Sequence, residues 1–448
     1  MVRHWAMERA ALILAATNES SLSYIVAGDD EAGDQIKTLA EATRRTPSPE
    51  TNRGNGGDTM DFSLSRNLAH DLERFHAFLQ THLIPNLSTW NRERAVPRGF
   101  FEELGKSAWF EYCFPPERGG EGALKQGLLF ERLARISPGV AVAVLVHVSL
   151  GVNALALFGS EAQKERFLPQ GFGGRTLMCT GNTEHTGGSD VAGITARAEK
   201  AADGWLLNGT KAYVTNGALS DLAVVSAVTD PDASRNKRLS LFLVDLNSPG
   251  VSRTKLDKQV WIPSDLTRLQ FTNVHIPEEN LLGARGRGLQ QILEIFTNSR
   301  ISIAALTLGT ATGAFSLALA HAKRRTLFGT KVVDFQAKSF EIADLHAKIE
   351  AAALLVWKAC WLKDQGREFR RVASTAKYVT VAIAREVGTW AADIFGAPSV
   401  MLEHPVHKFP MDAWAASLGE GTQDVQKLVI FREIMKEGTA APTGWELD

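Results

Sequence analysis

Glu420 is the residue whose surroundings in the sequence most suggest chemistry. It stands in the run GEGTQ at 419–423, at the start of a predicted helix. A carboxylate held in a water-poor site has a raised pKa, and it can then take a proton from the carbon beside a carbonyl group. Taken alone, a glutamate before Gly-Thr is more often an ordinary acidic residue at a helix N-terminus. Glu420 is therefore a candidate general base whose role depends on the other motifs of the chain.

Four other short blocks contain residue types that bind cofactors. In chain order they are TEHTGGSDVAG at 183–193, NGTKAYVTNGA at 208–218, RTLFG at 325–329 with FQA at 335–337, and IFGA at 394–397. The first three also have structural interpretations, as a turn, as a strand before an Asn-Gly turn and as the basic end of a helix. The sequence has no G-x-G-x-x-G after a predicted strand, no Walker loop, no HExxH and no G-x-S-x-G. The common nucleotide-binding and hydrolase motifs are thus excluded.

Charge and cysteine content narrow the class of protein further. The 448 residues include 49 Lys and Arg against 50 Asp and Glu, a net charge of -1. Such a balance gives no long-range attraction to nucleic acid or to an anionic membrane, so we expect neither as a partner. The three cysteines, Cys113, Cys179 and Cys360, form no CxxC pair and no His/Cys cluster. This spacing predicts a reducing compartment and no metal site.

Two uncharged stretches, Ser137–Ser160 and Ile301–Ala320, are about long enough to cross a bilayer. Their polar residues and glycines favour helices buried inside a large protein instead. The first residues, Met1–Thr17, contain an apolar run of only Ala10–Ala16, which is a poor match to a secretory signal. We therefore expect a cytoplasmic protein without a membrane span.

The elements that must position these motifs fall into four predicted segments. Residues 1–59 form an N-terminal extension with one possible helix, Glu31–Arg44, and a flexible linker, Arg45–Thr59. Residues 60–175 have the apolar spacing of helices. Residues 176–288 contain short β-rich runs, such as Trp205–Leu207 and Ala212–Thr215 with Asn-Gly between them, that predict an antiparallel domain. Residues 289–440 predict a four-helix bundle, with helices at Leu289–Arg325, Gln336–Gln365, Val372–Phe395 and Gly421–Met435. The predicted fold class is mainly α with a central antiparallel β domain.

In their order and spacing, the blocks resemble those of the acyl-CoA dehydrogenase flavoprotein family. The resemblance covers about residues 60–436 and implies that family's fold, in which a helical domain, a β-barrel-like domain and a four-helix bundle follow one another. It also implies non-covalent FAD. The family's flavin loop reads T-E-P-x-x-G-S-D, and here His185 replaces the proline. Tyr213 stands where the family has a tryptophan that covers the flavin ring.

The resemblance assigns roles to individual residues. Thr183, Gly188, Ser189 and Thr215 would bind the flavin, Arg325 would meet the FAD pyrophosphate across a subunit interface, and the remaining cofactor residues would be Tyr213, Phe328, Gln336, Gly396 and Thr422. Arg300 and Gly421 would contact the substrate, and Glu420 would be the catalytic base. Some branches of the family carry the base in an E-R dipeptide of the first bundle helix. This chain has Ser299–Arg300 there, which leaves Glu420 without a competitor.

The implied reaction is FAD-dependent oxidation of a saturated acyl thioester to its trans-2-enoyl product. The implied protein is a homodimer or homotetramer that passes electrons to an electron-transfer flavoprotein or another acceptor. The acyl handle, coenzyme A or a carrier protein, stays open. So do two alternatives, a flavin-dependent monooxygenase or oxidase on the same fold and a non-catalytic binding protein. Asp393, Ala397 and Met411 depart from the family pattern, and the departures at Asp393 and Met411 make the non-catalytic alternative conceivable.

Overall fold

The computed structural model describes residues 65–114, 122–402 and 404–436. The predicted extension 1–59, its linker and its helix at Glu31–Arg44 lie outside the described residues. The chain divides into two compact units between Thr81 and His82. Helix α1 (Arg66–His82) lies almost entirely in the first unit, and the other elements described below lie in the second.

In the described part of the chain, six further α-helices lie between α1 and the sheet. They are α2 (Leu87–Glu93), α3 (Arg98–Lys106), α4 (Ala123–Ile136), α5 (Pro138–Leu145), α6 (Asn153–Phe158) and α7 (Glu161–Phe172). Ser137 caps α5, because its hydroxyl accepts a hydrogen bond from the Val140 N–H. Ser160 and Gln163 form a capping box at the start of α7. A π-helical segment, Val146–Val152, joins α5 to α6.

The central sheet has eight strands in the order β6-β7-β3-β2-β4-β5-β8, with β1 paired to β4. The strands are β1 (Met178–Gly181), β2 (Arg197–Ala201), β3 (Gly204–Thr215), β4 (Leu222–Val228), β5 (Leu239–Asp245), β6 (Val251–Lys255), β7 (Leu266–Pro277) and β8 (Leu281–Leu282). The predicted β domain is confirmed and most of its pairs are antiparallel. The β1–β4 pair and the short β2–β4 pair are parallel, because the chain makes β2 and β3 before it returns to place β4 between β1 and β2 on one side and β5 on the other.

Strand β3 unites two runs that the sequence pattern separates. The runs Trp205–Leu207 and Ala212–Thr215 belong to one strand, and the residues Asn208–Gly209 between them form a β-bulge against β7 rather than a turn. Gly209 has φ +138°, and a Cβ atom there would lie 2.6 Å from the Cβ of Ala196. A second irregularity falls between Lys211 and Val214, and it includes Tyr213 at φ +56°. The second bulge therefore sets the direction of the Tyr213 side chain.

The C-terminal region confirms the four predicted long helices. They are α8 (Gly288–Arg324), α9 (Gln336–Asp364), α10 (Arg370–Phe395) and α12 (Gln423–Lys436), with the short α11 (Lys408–Ala415) before α12 and the hairpin β9–β10 (Thr326–Leu327 and Thr330–Lys331) before α9. Helix α10 packs against α8, α9, α11 and α12. Helix α8 also packs against α4, which explains why its residues are apolar on nearly every side.

Two helical stretches, Pro138–Phe158 and Gly288–Arg324, are long and apolar enough to cross a membrane by length and composition alone. In their most apolar 18-residue windows, 89% and 72% of the residues are buried inside the protein. This burial is typical of core helices in a large globular protein.

Candidate active site

Glu420 lies in the short connection between α11 and α12. Its backbone is left-handed, with φ +54°, and Gly421 follows at φ +91°. A left-handed conformation is unfavourable for a residue with a Cβ atom, so the surrounding contacts must hold it. Thr422 ends the connection, and its hydroxyl accepts a hydrogen bond from the Val425 N–H, which caps α12.

The Glu420 carboxylate faces α8. Ser299 Oγ donates a hydrogen bond of 2.5 Å to Glu420 Oε2. Burial raises the pKa of Glu420, and the Ser299 hydrogen bond, Lys377 and Arg300 partly oppose this rise. The site therefore holds a carboxylate that is more basic than one in water, as a general base requires.

Arg300 lies beside this carboxylate and is only 5% exposed. Its Nη1 makes a long hydrogen bond of 3.4 Å to Thr297 Oγ1, and its Nε has no hydrogen-bond partner in the described part of the chain. Burial lowers the pKa of this guanidinium. An unsatisfied buried donor is costly, so the Arg300 Nε–H is a donor that could bond to a polar group of a bound molecule.

The Ser299 hydrogen bond leads to a first prediction. We expect Ser299→Ala to raise the pH at which Glu420 is half protonated by about 1 unit, because the lost bond stabilised the ionised carboxylate. The protonated-carboxyl infrared band, identified by its loss in Glu420→Gln, measures this midpoint. Ser302→Ala is the control, since it removes a buried hydroxyl that bonds to Ser149 instead. Identical titrations in Ser299→Ala and wild type would rule out this hydrogen bond.

The flavin-loop motif is anchored by a buried ion pair. Glu184 accepts hydrogen bonds from Thr195 N, Thr195 Oγ1, Ala196 N and Lys211 Nζ, at 2.8, 2.6, 2.9 and 2.7 Å. Lys211 is fully buried, and burial lowers its pKa to about 8 although Glu184 opposes this shift. Burial alone would raise the pKa of Glu184, but Lys211 and the hydrogen bonds hold it below its usual value. The ion pair therefore fixes the loop on β3.

The loop and the end of β3 form one exposed surface. The Ala212 N–H donates to the Thr183 carbonyl, and the His185 and Tyr213 rings meet edge to face at 5.7 Å. Tyr213 is 56% exposed, and Gly188 and Ser189 are exposed in the loop that carries His185. Thr215 lies two residues further along the strand. An exposed aromatic ring together with the exposed hydroxyl and backbone amide groups of the loop fits a flat ring system with a polar edge, such as a flavin.

Four other predicted cofactor residues make no described hydrogen bond or ring contact with Glu420 or with the exposed surface around Tyr213. Arg325 follows the last residue of α8 and is exposed, Phe328 is 99% exposed at the tip of the β9–β10 hairpin, and Gln336 begins α9. Gly396 ends α10 with φ +65°. Within the described ranges, no hydrogen bond or ring contact joins these four residues to Glu420 or to the Tyr213 surface. The described contacts therefore do not bring these four residues together with either group.

Asp412 is buried within the fold next to the altered position Met411. Its Oδ1 accepts a hydrogen bond of 2.5 Å from the Trp261 N–H, and burial raises its pKa to about 6. It thereby ties α11 to the segment before β7. Met411 itself is 37% exposed.

Sequence reasoning missed Lys377 and Lys211 as parts of the site. Lys377 Nζ donates to the carbonyls of Gly419 and Gly421, on either side of Glu420. One feature of the sequence could have indicated Lys377: it is a lysine among residues of α10 that are otherwise small or apolar and buried, namely Ala373, Ala376, Thr380 and Val381. Among the described residues, no group of three or more His, Cys, Asp or Glu side chains is placed to hold a metal ion.

Comparison with known proteins gives matches along nearly all of the described chain. Three family models match in order: the N-terminal domain of acyl-CoA dehydrogenase at residues 72–175, the middle domain at 179–274 and the C-terminal domain at 286–435. The short-chain specific acyl-CoA dehydrogenase of Megasphaera elsdenii is 34% identical over 377 residues, which are 83% of this chain and 98% of that protein.

Solved structures agree with these matches. One, described as the electron transferring flavoprotein of Acidaminococcus fermentans, contains a chain that is 31% identical with a TM-score of 0.81, over 84% of this chain and 100% of that one. A glutaryl-CoA dehydrogenase from Mycobacterium smegmatis in complex with FADH2 is 26% identical with a TM-score of 0.78, over 83% of this chain and 95% of that one.

Proposed function

The chain belongs to the acyl-CoA dehydrogenase family, and from this premise we propose that it oxidises a saturated acyl-CoA to the trans-2-enoyl-CoA with Glu420 as the base. Members of the family are FAD-dependent oxidoreductases that act on CH–CH groups. The observation that carries the proposal is the Glu420 carboxylate, which burial makes more basic and which Ser299 holds in place.

The chain's own groups account for the proton transfer. Glu420 takes the α-proton, and its backbone N–H, which has no acceptor among the described residues, donates to the thioester carbonyl oxygen. A donor at that oxygen stabilises the negative charge that develops as the α-proton leaves. FAD, when bound, supplies the two-electron oxidation by accepting the β-hydrogen as hydride.

The exposed surface around Tyr213 would hold the flavin ring. Thr183, Gly188, Ser189 and Thr215 would donate to its polar edge, and Tyr213 would cover one face. Gly396 and Thr422 are the further cofactor residues of this proposal, and Gly421 would contact the substrate together with Arg300.

A homo-oligomer, dimer or tetramer, would complete the cofactor site. The fully exposed Phe328 at the hairpin tip and an apolar row on α12, consisting of Leu428, Phe431, Ile434 and Met435, support this proposal. Large exposed apolar side chains that lie together are typical of protein interfaces. Within the described residues, Arg325, Phe328 and Gln336 make no hydrogen bond or ring contact with the Tyr213 surface of their own chain, and in this proposal they serve the FAD of a partner subunit.

Charge reversal tests the role of Arg325. We expect Arg325→Glu to weaken FAD binding by about 30-fold, because a carboxylate would replace the partner of the pyrophosphate. The flavin absorbance retained after dialysis measures this loss, and sedimentation shows whether assembly weakens with it. Arg324→Glu, which changes the neighbouring exposed arginine, should retain FAD. If both variants stay equally yellow, Arg325 does not bind the cofactor.

Three further assignments belong to the proposal. Coenzyme A is the proposed acyl handle, and an electron-transfer flavoprotein is the proposed acceptor, in line with the name of one structural relative. The proposed location is the cytoplasm, a reducing compartment, which suits the three unpaired thiols.

An anaerobic titration tests the proposed function. The purified protein should show a flavin spectrum that bleaches on addition of an acyl-CoA of suitable length, with the enoyl-CoA as product. A panel of acyl chains, each on coenzyme A and on a carrier protein, would identify the substrate. Bleaching by the carrier-protein forms alone would overturn coenzyme A as the handle, and a colourless protein would favour a non-catalytic role.

A further inference from the structure

Lys377 is a fully buried lysine of α10 whose side chain reaches the connection that carries Glu420. Its Nζ donates hydrogen bonds to the carbonyl oxygens of Gly419 and Gly421, the latter at 2.6 Å. Gln426 of α12 donates to the carbonyls of Glu420 and Gly421, at 3.2 and 3.0 Å. Side chains of two helices thus hold all three carbonyls around Glu420.

These hydrogen bonds also fix the direction of the Glu420 N–H. A trans peptide unit is planar, and its N–H points opposite to its carbonyl. The Gly419 carbonyl and the Glu420 N–H belong to one peptide unit. Since this carbonyl points to Lys377, the Glu420 N–H points away from Lys377. The same contacts stabilise the left-handed backbone conformation of Glu420, which is unfavourable without such contacts.

The charges that face Glu420 come from two helices. Lys377 of α10 and Arg300 of α8 both favour its ionised form, and Ser299 of α8 adds a neutral donor. Arg370 is a further charge that acts on Arg300. Burial lowers the pKa of Lys377 to about 7, while Glu420 favours its charged form.

We propose that Lys377 is a positioning residue of the active site: its ammonium group holds the two carbonyls that flank Glu420, directs the Glu420 carboxylate and N–H to the substrate, and keeps the carboxylate ionised. The effect of Lys377 on catalysis rests on the proposed function. The placement of the carboxylate and its ionisation can be measured without substrate.

The test compares Lys377→Met with wild type in two measurements. The infrared midpoint of Glu420 should move to higher pH, because the variant lacks the cation that favours the carboxylate. Flavin reduction at saturating acyl-CoA should fall on the order of 100-fold, as expected when a reacting group is displaced by about 1 Å. KM should change much less than kcat. Lys377→Arg, which keeps the charge and the donors, should recover part of both properties.

Lys363→Met is the matched control, because burial also lowers the pKa of Lys363 but its charged neighbours do not include Glu420. It should leave the midpoint and the rate unchanged. If Lys377→Met does not fold, Lys377→Gln keeps a donor without the charge and should show the same upward shift. An unmoved midpoint or an unchanged rate overturns the proposal. A wild-type flavin that no acyl-CoA reduces overturns the proposed function instead, while the substrate-free midpoint still tests the placement of Lys377.

Discussion

Glu420→Gln should bind FAD normally and lose nearly all flavin reduction by acyl-CoA. The amide keeps the size of the side chain and still contacts Ser299, but it cannot accept the α-proton. Removal of a positioned base typically lowers the rate by about 10²- to 10⁴-fold. Anaerobic stopped-flow absorbance of the flavin measures this loss directly.

Asp424→Asn provides the control for this variant. Asp424 lies on the first turn of α12, is exposed and pairs with Lys427, so its neutralisation should leave the rate near that of wild type. If Glu420→Gln reduces the flavin at a near wild-type rate, Glu420 is not the base, and Asp424 is the next carboxylate to consider.

Lys211→Met should destabilise the protein by about 3–5 kcal/mol, because it leaves the Glu184 carboxylate buried without its cation. This pair holds the loop that we propose binds the flavin, so the flavin content should fall as well. Chemical denaturation, followed by tryptophan fluorescence, measures the change in the free energy of unfolding.

Lys200→Met is the matched control on β2. Its ion pair with Glu278 is exposed, and exposed pairs contribute only about 0–1 kcal/mol. The double variant Lys211→Met with Glu184→Gln should recover part of the lost stability, because it removes the unpaired charge. Equal stability of Lys211→Met and Lys200→Met would show that the buried pair does not hold the loop.

The sequence predicts the elements around the site well because their patterns are local. Apolar side chains that recur every three or four residues identify α8, α9, α10 and α12 to within a few residues. The parallel pairing of β1 with β4 is not local, since it depends on where the chain returns after β2 and β3. The bulge at Asn208–Gly209 was missed for a related reason, because Asn-Gly is also the usual sequence of a hairpin turn.

The contacts of Glu420 could not be predicted either, because they are not local in the sequence. Its glutamate stands in a recognisable motif, but Ser299 and Lys377 reach it from positions 121 and 43 residues away in the chain. Neither residue type signals such a contact. The sequence identifies Ser299 only as the residue that stands where other branches of the family carry their base. Tertiary packing alone brings these groups together and sets the pKa of the carboxylate.

The loss of deuterium from the α-carbon of the substrate tests the central claim most directly. An acyl-CoA deuterated at that carbon is incubated with wild type and with Glu420→Gln, and the deuterium that remains is followed by mass spectrometry. We expect wild type to release α-deuterium to the solvent and Glu420→Gln to retain it. Release at the wild-type rate by Glu420→Gln would contradict the assignment of Glu420 as the base.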